Sequence, residues 1–312
     1  MTGEPPHERA PLVSVVIATN RDSPYLGDAL SSVVAQSHPD IEVIVVDNGV
    51  PDTAALERTV SRAPGAVILR MPPATVSVAR NAGAAAARGE LLVFLDDDDV
   101  WHPERLARQS DALAAAPDAP ASYCGGWHMD ATGRPFPPSW PAVPATADAM
   151  LSGRSRLPHI CGAMMIRRSA FGAIGGFSPE LTMMEDFELA IRLLALGSFA
   201  CVPDELVGYR RHDGNVTNTG IGNVRVRREA VDLILERHQW AARARGDRRM
   251  AALLAEHRRR ERRRSAREAG AMSVWAVRHG RLTDAAREFT WGLRAGFGRF
   301  VAGMAARLAR RG

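Results

Sequence analysis

Carboxylates follow two apolar segments of this sequence, and their placement is the first indication of chemistry. Asp47 ends the run IEVIVVD, and four consecutive aspartates, Asp96–Asp99, follow the run LLVFL. Adjacent carboxylates repel one another and raise each other's pKa values, and a divalent cation would relieve that repulsion. Mg²⁺ and Mn²⁺ prefer such oxygen ligands, and Mg²⁺ often completes its shell with phosphate oxygens and water. The run is therefore a candidate metal site, with an acidic loop capping the next helix as the alternative.

Three further groups are candidates for catalysis or binding. Glu185 and Asp186 open the helical segment EDFELAIRLLALG, where a carboxylate could take the proton of an attacking hydroxyl or simply stabilise the helix N-terminus. Arg80, in VSVARNAG, has a guanidinium suited either to phosphate or to a salt bridge on a helix surface. His212, in YRRHDGN, is either a ligand or a residue on a loop surface.

The elements that must position these groups alternate along the first 116 residues. Short β-branched runs predict strands over 13–18, 41–47, 66–70 and 91–96, with helical segments between them. This alternation predicts a mostly parallel sheet with helices on both faces. Ligands of such sheets bind beyond the carboxyl ends of the strands, which is where the acidic residues lie.

The rest of the chain has two further patterns. Residues 117–160 are rich in Pro, Gly and Ala and predict loops around one short strand near Ser122–Met129. The helix that starts at Glu185 can turn four apolar residues toward a core: Phe187, Leu189, Ile191 and Leu194. FACVPD and LVGYR predict two further short strands, and after about residue 222 the pattern is helical with a break at 279–281.

Charge is distributed unevenly along the 312 residues. All 40 basic residues are arginine and the net charge is +5, but residues 241–312 hold 19 arginines against six acidic residues. That stretch is +13, which leaves −8 in residues 1–240. We therefore predict a catalytic domain over 1–222 and an Arg-rich helical extension over 223–312.

The extension has two interpretations. The run RRRERRR is either a solvated helix face or a group of charges that attracts an anionic surface. A helix that carries Trp275, Trp291, Phe297 and Phe300 near arginines could lie on a membrane, to which each basic residue would add about 1 kcal/mol. The sequence thus predicts a possible anionic membrane partner for 241–312.

Composition excludes several classes of protein. With 46% hydrophobic and 24% charged residues the chain is typical of a globular protein. The start MTGEPPHERAP lacks the pattern of a secretory signal, and no apolar run approaches the ~20 residues of a membrane-spanning helix. Cys124, Cys161 and Cys201 form neither a paired metal motif nor a disulfide framework. The expected location is the cytoplasm, with possible peripheral attachment to the inner face of the membrane.

Five segments in order resemble the family 2 glycosyltransferases over roughly residues 13–215. They are VSVVIATN, DIEVIVVDNG, VSVARNAGAAAARGELLVFLDDDDVWHPERL, GGFSPELTMMEDFELAIRL and YRRHDGN. The resemblance implies an α/β fold of the GT-A type, a Rossmann-like and mostly parallel sheet flanked by helices, here with a C-terminal helical extension. It also implies metal-dependent, inverting transfer of one sugar from a nucleotide-sugar donor to an acceptor hydroxyl, in glycan, cell-surface polysaccharide or natural-product glycoside biosynthesis.

The resemblance further implies roles for individual residues. Nucleotide-sugar binding falls to Ala18, Thr19, Asp47, Arg80, Asp96, Asp97 and Gly162. Asp96 and Asp98 match the D-x-D motif, and Asp98 with His212 would hold Mn²⁺ or Mg²⁺. Asp186 matches the general base, with Glu185 as the alternative, and Asp99 is expected to cap the next helix. The donor would be UDP-, GDP- or dTDP-linked, and the acceptor and the oligomeric state stay open.

Other functions are less consistent with the same residues. The Q-x-x-R-W motif and the membrane helices of processive synthases are missing, which favours the transfer of one sugar per encounter. A sugar-1-phosphate nucleotidyltransferase should have an early Gly-rich phosphate loop, which residues 13–40 lack. A nucleic-acid or partner-binding protein using the basic tail on an inactive GT-A scaffold is the remaining alternative. The intact acidic run and the Glu185–Asp186 pair argue against it.

Overall fold

The computed structural model describes residues 10–158, 161–215 and 221–309. The chain divides into two compact units. The first unit runs to Ala147, resumes at Pro158 and ends at His212, whereas the second holds Asp148–Leu157 and the chain from Asp213 onward. The sequence-based boundary at residue 222 stays a prediction, and each unit is described by itself below.

The first unit is built around a nine-stranded sheet. Its strands are β1 (Val13–Thr19), β2 (Ile41–Asp47), β3 (Val67–Arg70), β4 (Leu91–Asp96), β5 (Val100–Trp101), β6 (Ala121–Met129), β7 (Pro135–Trp140), β8 (Met164–Arg167) and β9 (Ala200–Arg210). Their order is β3-β2-β1-β4-β8-β6-β9-β5, with β7 paired to β6. The first four are parallel, as the alternating pattern predicts, whereas β8 runs antiparallel to both of its neighbours.

Helices pack on the sheet, and this burial explains why its strands are apolar. They are α1 (Leu26–Val34), α2 (Thr53–Val60), α3 (Val76–Ala86), α4 (Arg105–Ala114), α6 (Arg168–Ala173) and α7 (Glu185–Leu194), while α5 (Ala147–Leu151) belongs to the second unit from Asp148 onward. Val15 and Val16 point to opposite faces of β1 and both are fully buried. Strands buried on both faces are near-continuous apolar runs, which is why the sequence signal was strong. The four residues of α7 expected in the core are all buried.

The prediction of two short strands after residue 199 is wrong, because β9 is one strand of 11 residues. Its pairing with β6 passes from Val202 to Glu205 while β6 advances by a single residue. Pro203 and Asp204 therefore lie in a bulge. Pro203 has no N–H to donate to a ladder, and a bulge accommodates it without ending the strand.

Strand β7 was not predicted, because its sequence PFPPSW is rich in proline. It pairs with β6 alone, and five of its six residues are exposed. Proline is tolerated at a sheet edge, where the missing N–H faces solvent. Composition alone therefore suggested a loop where the structure has an edge strand.

Three long helices dominate the second unit. They are α8 (Ile221–Ala244), α9 (Arg248–Arg278) and α10 (Leu282–Ala309). The predicted break at 279–281 is confirmed, because it separates α9 from α10. Helix α10 is itself interrupted at Gly296, whose φ of 165° and ψ of 94° are not helical. None of the described helices has both the length and the apolarity needed to cross a membrane.

Gly83 tests the packing of α3 on the sheet. A Cβ added there would lie 2.4 Å from Val16 Cγ1 and 2.9 Å from Val46 Cγ2, whereas a Cβ at Gly27 in α1 would meet no atom within 4 Å. We expect Gly83→Ala to destabilise the first unit by about 1–3 kcal/mol, because buried strands must shift. Gly27→Ala should be neutral or stabilising, since alanine favours the helix. Urea denaturation measures both, and equal midpoints for the two variants would contradict this packing.

Candidate active site

The carboxyl ends of β1, β2 and β4 bring the predicted donor-binding residues side by side. Ala18 is the register partner of Asp96 on β4, and Thr19 is the register partner of Asp47 on β2. This placement follows from the parallel ladder, because strands that start in register also end together. The edge of the sheet predicted to bind ligand is therefore the edge where the acidic groups gather.

Asp97 and Asp98 share one arginine that sequence reasoning missed. Arg21 Nη2 donates to Asp97 Oδ1 and to Asp98 Oδ2, each at 2.7 Å, and Thr19 Oγ1 donates to Asp97 Oδ2 at 2.6 Å. The two carboxylates raise the pKa of Arg21 and keep it charged. Arg21 lies two residues beyond the end of β1, so its position at the same sheet edge was the signal that could have identified it.

His212 lies against Asp98. Its Nε2 is 3.0 Å from Asp98 Oδ2, its ring centroid is 4.8 Å from that of Tyr25, and its side chain is 9% exposed. The alternative of an exposed loop residue is therefore excluded. Burial and the charges of Asp96 and Asp97 raise the pKa of Asp98, while hydrogen bonds from His212 and Arg21 oppose that rise.

The donor set at this edge fits a divalent cation that is shared with a ligand. Within residues 10–158, 161–215 and 221–309, no group of three or more His, Cys, Asp or Glu side chains is arranged to hold a metal by itself. Asp98 and His212 supply two donors, and burial together with the crowding of the carboxylates raises the pKa of Asp98. Mg²⁺ at nucleotide sites usually takes only one or two protein carboxylates and completes its shell with phosphate and water. The metal roles of Asp98 and His212 stay a prediction.

Asp99 does not cap the following helix, and that expectation is wrong. The side chain is fully buried, and its Oδ1 accepts the backbone N–H of Arg210 on β9 at 2.9 Å. Arg210 in turn donates through Nε to the carbonyl oxygen of Asp98 at 2.8 Å and through Nη2 to Asp28 at 2.9 Å. Asp99 and Arg210 therefore fasten the acidic loop to β9, a long-range contact that no local pattern predicts.

Arg80 joins the acidic loop to the start of α7. Its Nη2 donates to Asp96 Oδ1 at 2.6 Å and its Nη1 donates to Glu185 Oε1 at 2.7 Å. The residue is 5% exposed, and its guanidinium carbon lies 5.5 Å from the centroid of the Phe177 ring. A surface salt bridge is therefore excluded, and the two predicted acidic sites belong to one cluster.

The surroundings of Asp186 raise its pKa, and the general-base roles of Asp186 and Glu185 stay predictions. Burial and the adjacent Glu185 raise its pKa well above the usual value, while the backbone N–H of Phe187, 2.7 Å from Oδ1, and the charge of Arg80 oppose the rise. A raised pKa strengthens a carboxylate as a proton acceptor. Met184, immediately before the helix, has φ of 64° and is the one non-glycine residue with positive φ among the described residues. Strain of this kind is common at functional sites.

Asp47 and Gly162 have local surroundings that neither require nor exclude donor binding. Asp47 Oδ1 accepts the backbone N–H groups of Gly49 at 3.1 Å and Val50 at 2.9 Å, which closes the turn after β2. A Cβ at Gly162 would come no closer than 3.8 Å to any atom, so packing does not demand glycine there. The donor-binding roles of Ala18, Thr19, Asp47, Arg80, Asp96, Asp97 and Gly162 stay predictions.

The sheet order, the acidic loop after β4 and the carboxylates at the start of α7 define a GT-A type protein with a C-terminal helical region. Residues 14–175 match the family model described as glycosyl transferase family 2. The match covers more than half of the chain, and the protein belongs to this family.

Individual relatives agree with that assignment. An uncharacterized glycosyltransferase of Nostoc sp. is 39% identical over 99 residues, which are 31% of each chain. One of Haemophilus influenzae is 26% identical over 191 residues, which are 60% of this chain and 64% of the relative. A putative teichuronic acid biosynthesis glycosyltransferase of Bacillus subtilis is 33% identical over 107 residues, which are 33% of this chain and 42% of the relative. The matches thus span less than two thirds of the length of these relatives.

Solved structures confirm the fold. S. aureus TarS in complex with UDP-GlcNAc superposes with a TM-score of 0.62 at 19% identity, covering 79% of this chain and 72% of that chain. The complex of the same protein with UDP gives a TM-score of 0.56 at 17% identity, covering 72% and 64%. The predicted α/β GT-A fold is therefore correct.

Proposed function

We propose that the protein transfers one sugar from a nucleotide-sugar donor to an acceptor hydroxyl with inversion at the anomeric carbon. The observation that carries this proposal is the double ion pair of Arg80 with Asp96 and Glu185. This pair holds Asp96 of the acidic loop and Glu185, the neighbour of Asp186, on one guanidinium at the carboxyl edge of the parallel strands. Membership of family 2 and the UDP-GlcNAc and UDP in the TarS structures support a nucleotide-sugar donor.

Individual residues of this chain have separate roles in the proposed reaction. Asp186 accepts the proton of the attacking hydroxyl, and the oxygen displaces the diphosphate in a single in-line step that inverts the anomeric centre. Thr19 and Arg21 hold Asp97 and Asp98 in place for the donor, and Arg80 holds Glu185 beside Asp186. Asp98 and His212 would hold Mn²⁺ or Mg²⁺, which would supply positive charge to offset the charge that develops on the leaving diphosphate.

The biological setting we propose is cell-surface polysaccharide synthesis. The support is the description of the Bacillus subtilis relative as a putative teichuronic acid biosynthesis glycosyltransferase, together with the bound sugar nucleotide of the TarS structure. The missing Q-x-x-R-W motif supports one transfer per encounter. The donor sugar, the base and the acceptor are left to experiment.

Metal and donor binding are tested together by thermal denaturation. We expect at least one nucleotide sugar from a panel of UDP, GDP and dTDP donors to raise the Tm in the presence of Mn²⁺. A ligand at 100 times its Kd adds about 2.7 kcal/mol of stability. Asp98→Ala should remove the Mn²⁺-dependent part of the shift, because it deletes one of two protein donors. The control is Asp111→Asn, an exposed carboxylate on α4.

Two results would contradict the proposal. One is a panel in which no nucleotide sugar raises the Tm of the wild type with or without Mn²⁺. The other is an Asp98→Ala variant whose Mn²⁺-dependent shift equals that of the wild type and of Asp111→Asn.

A further inference from the structure

Helix α10 exposes apolar side chains along its length. They occur at helical spacing on both sides of the interruption at Gly296 and are Leu282, Phe289, Leu293, Phe297, Val301 and Leu308. Leu282, Phe289 and Leu293 are spaced to share one side of the helical segment before Gly296, and Phe297, Val301 and Leu308 are spaced to share one side of the segment after it. We call this set the α10 face. Scattered exposed apolar residues are ordinary, but a regular series on one helix marks an interaction site.

The α10 face differs from the aromatic set that the sequence suggested for membrane contact. Phe300 is 1% exposed and packs against Ala266 and Ala269 of α9. Trp291 lies under the guanidinium of Arg228 at 3.9 Å, and Trp275 stacks on His279 with ring centroids 4.2 Å apart. These three rings are committed to contacts within the second unit. Of the four aromatic residues only Phe297, at 68% exposure, is largely free of such packing.

Cationic groups lie on the same helix as the α10 face, on its flanks. A cleft of about 530 Å³ is lined by Arg225 and Glu229 of α8 and by Ala286, Arg287, Thr290, Trp291 and Arg294 of α10, so three arginines face a single carboxylate. Arg287 and Arg294 are exposed, and Arg287 precedes Phe289 by two residues while Arg294 directly follows Leu293. The last 72 residues carry a net charge of +13. Apolar and cationic groups are thus interleaved on one helix.

We propose that the α10 face docks on an anionic phospholipid bilayer, with α10 lying in the interface and the arginines facing lipid phosphates. Helices that lie in the membrane plane combine an apolar face with flanking Lys or Arg. A second copy of this chain fits less well, because its own Arg287 and Arg294 would face like charges. Nucleic acid would pair with the arginines but leave the apolar side chains exposed.

The apolar contribution is tested with the full chain and sedimented vesicles. We expect binding to vesicles that contain phosphatidylglycerol and weak binding to vesicles of pure phosphatidylcholine. Leu293→Gln with Phe297→Gln should lower the partition coefficient at least tenfold, because burying a Leu or Phe side chain is worth about 1.5–3 kcal/mol. The matched control is Leu233→Gln with Val277→Gln, at positions of α8 and α9 that are 55% and 56% exposed. Helix content by circular dichroism should be unchanged in both.

The charge contribution has its own pair of variants. Arg287→Gln with Arg294→Gln should weaken binding about thirtyfold, since each basic residue at an anionic surface contributes about 1 kcal/mol. Arg243→Gln with Arg248→Gln removes the same net charge from exposed positions of the second unit and should cost less than about threefold. High salt should weaken the wild type, because exposed charges are screened.

Four results would overturn the proposal. The first is that the Leu293/Phe297 variant binds vesicles as well as the wild type does, and the second is that test and control variants lose the same amount of vesicle binding. The third is equal binding to neutral and anionic vesicles, and the fourth is no vesicle binding by the wild type. Sedimentation velocity identifies a dimer on this face if the apolar variant dissociates it without a loss of lipid binding. Salt-dependent binding of DNA without lipid binding would indicate nucleic acid. Vesicle binding requires no sugar transfer, so its failure leaves the proposed function untouched.

Discussion

Asp186→Asn should lower kcat for sugar transfer by about 10²–10⁴ while leaving the affinity for the nucleotide sugar nearly unchanged. General base catalysis contributes a factor of this size, and asparagine keeps the shape of the side chain without its basicity. Asp111→Asn, on the exposed surface of α4, should retain the wild-type rate. Steady-state kinetics together with donor titration separate the loss of turnover from any loss of binding.

The pH dependence gives this prediction a second readout. Burial and the adjacent Glu185 raise the pKa of Asp186 well above its usual value. Only the ionised carboxylate accepts a proton, so the wild-type rate should rise with pH through that raised pKa. Folding favours the protonated form of such a group, so its stabilising effect is present at low pH and is lost as pH rises. The Tm of Asp186→Asn relative to the wild type should therefore increase as the pH rises from the ordinary carboxyl range through the raised pKa.

Asp186 would not be the base if Asp186→Asn kept a wild-type kcat. If kcat fell in Glu185→Gln instead, the neighbouring carboxylate Glu185 would be the base. If both variants turned over normally and the Tm difference did not vary with pH, the electrostatic account of this helix start would be wrong.

Arg80→Gln should destabilise the first unit by about 3–5 kcal/mol and remove most of the activity. The guanidinium is 5% exposed and pairs with Asp96 and Glu185, so its removal leaves two carboxylates without their shared cation. Breaking a buried ion pair from one side typically costs this much. Arg58→Gln, which removes a 69% exposed guanidinium, should change stability by less than about 0.5 kcal/mol. Urea denaturation of the two variants measures the difference.

The charge of Arg80 also lowers the pKa of Asp186. In Arg80→Gln the residual rate should therefore begin to rise at a higher pH than the rate of the wild type. Arg80→Lys keeps the charge but not the forked geometry, so it should restore part of the stability and return this rise toward its wild-type pH. An Arg80→Gln variant as stable as the wild type would show that the two acidic sites are not held together by this residue.

The parallel half of the sheet was predictable because β1, β2 and β4 are buried on both faces and have continuous apolar sequences. The acidic positions were predictable for the same reason, since strand ends in a parallel sheet meet at one edge. The family followed from the ordered motifs. Strand β7 was hidden by its prolines, and the single strand β9 was divided in prediction by Pro203 at its bulge.

The partners of the acidic groups could not be predicted in the same way. Asp99 pairs with the backbone of Arg210, 111 residues away, and Arg80 meets Glu185 across 105 residues. Such contacts depend on the packing of the whole unit and leave no local periodicity. Arg21 is different, because its place just after β1 was visible in the sequence. The pattern of carboxylates at strand ends identifies the acidic residues of the site but not this arginine.

The most direct test of sugar transfer by this acidic cluster is the release of nucleoside diphosphate from a panel of nucleotide sugars with Mn²⁺. Wild type, Asp186→Asn and Asp111→Asn would be compared by chromatography of the products. We predict that at least one donor is consumed by the wild type and by Asp111→Asn, that chelation of the metal stops the reaction, and that Asp186→Asn is slower by two orders of magnitude or more. Release by Asp186→Asn at the wild-type rate, or no release from any donor with a range of acceptor glycans, would contradict the account.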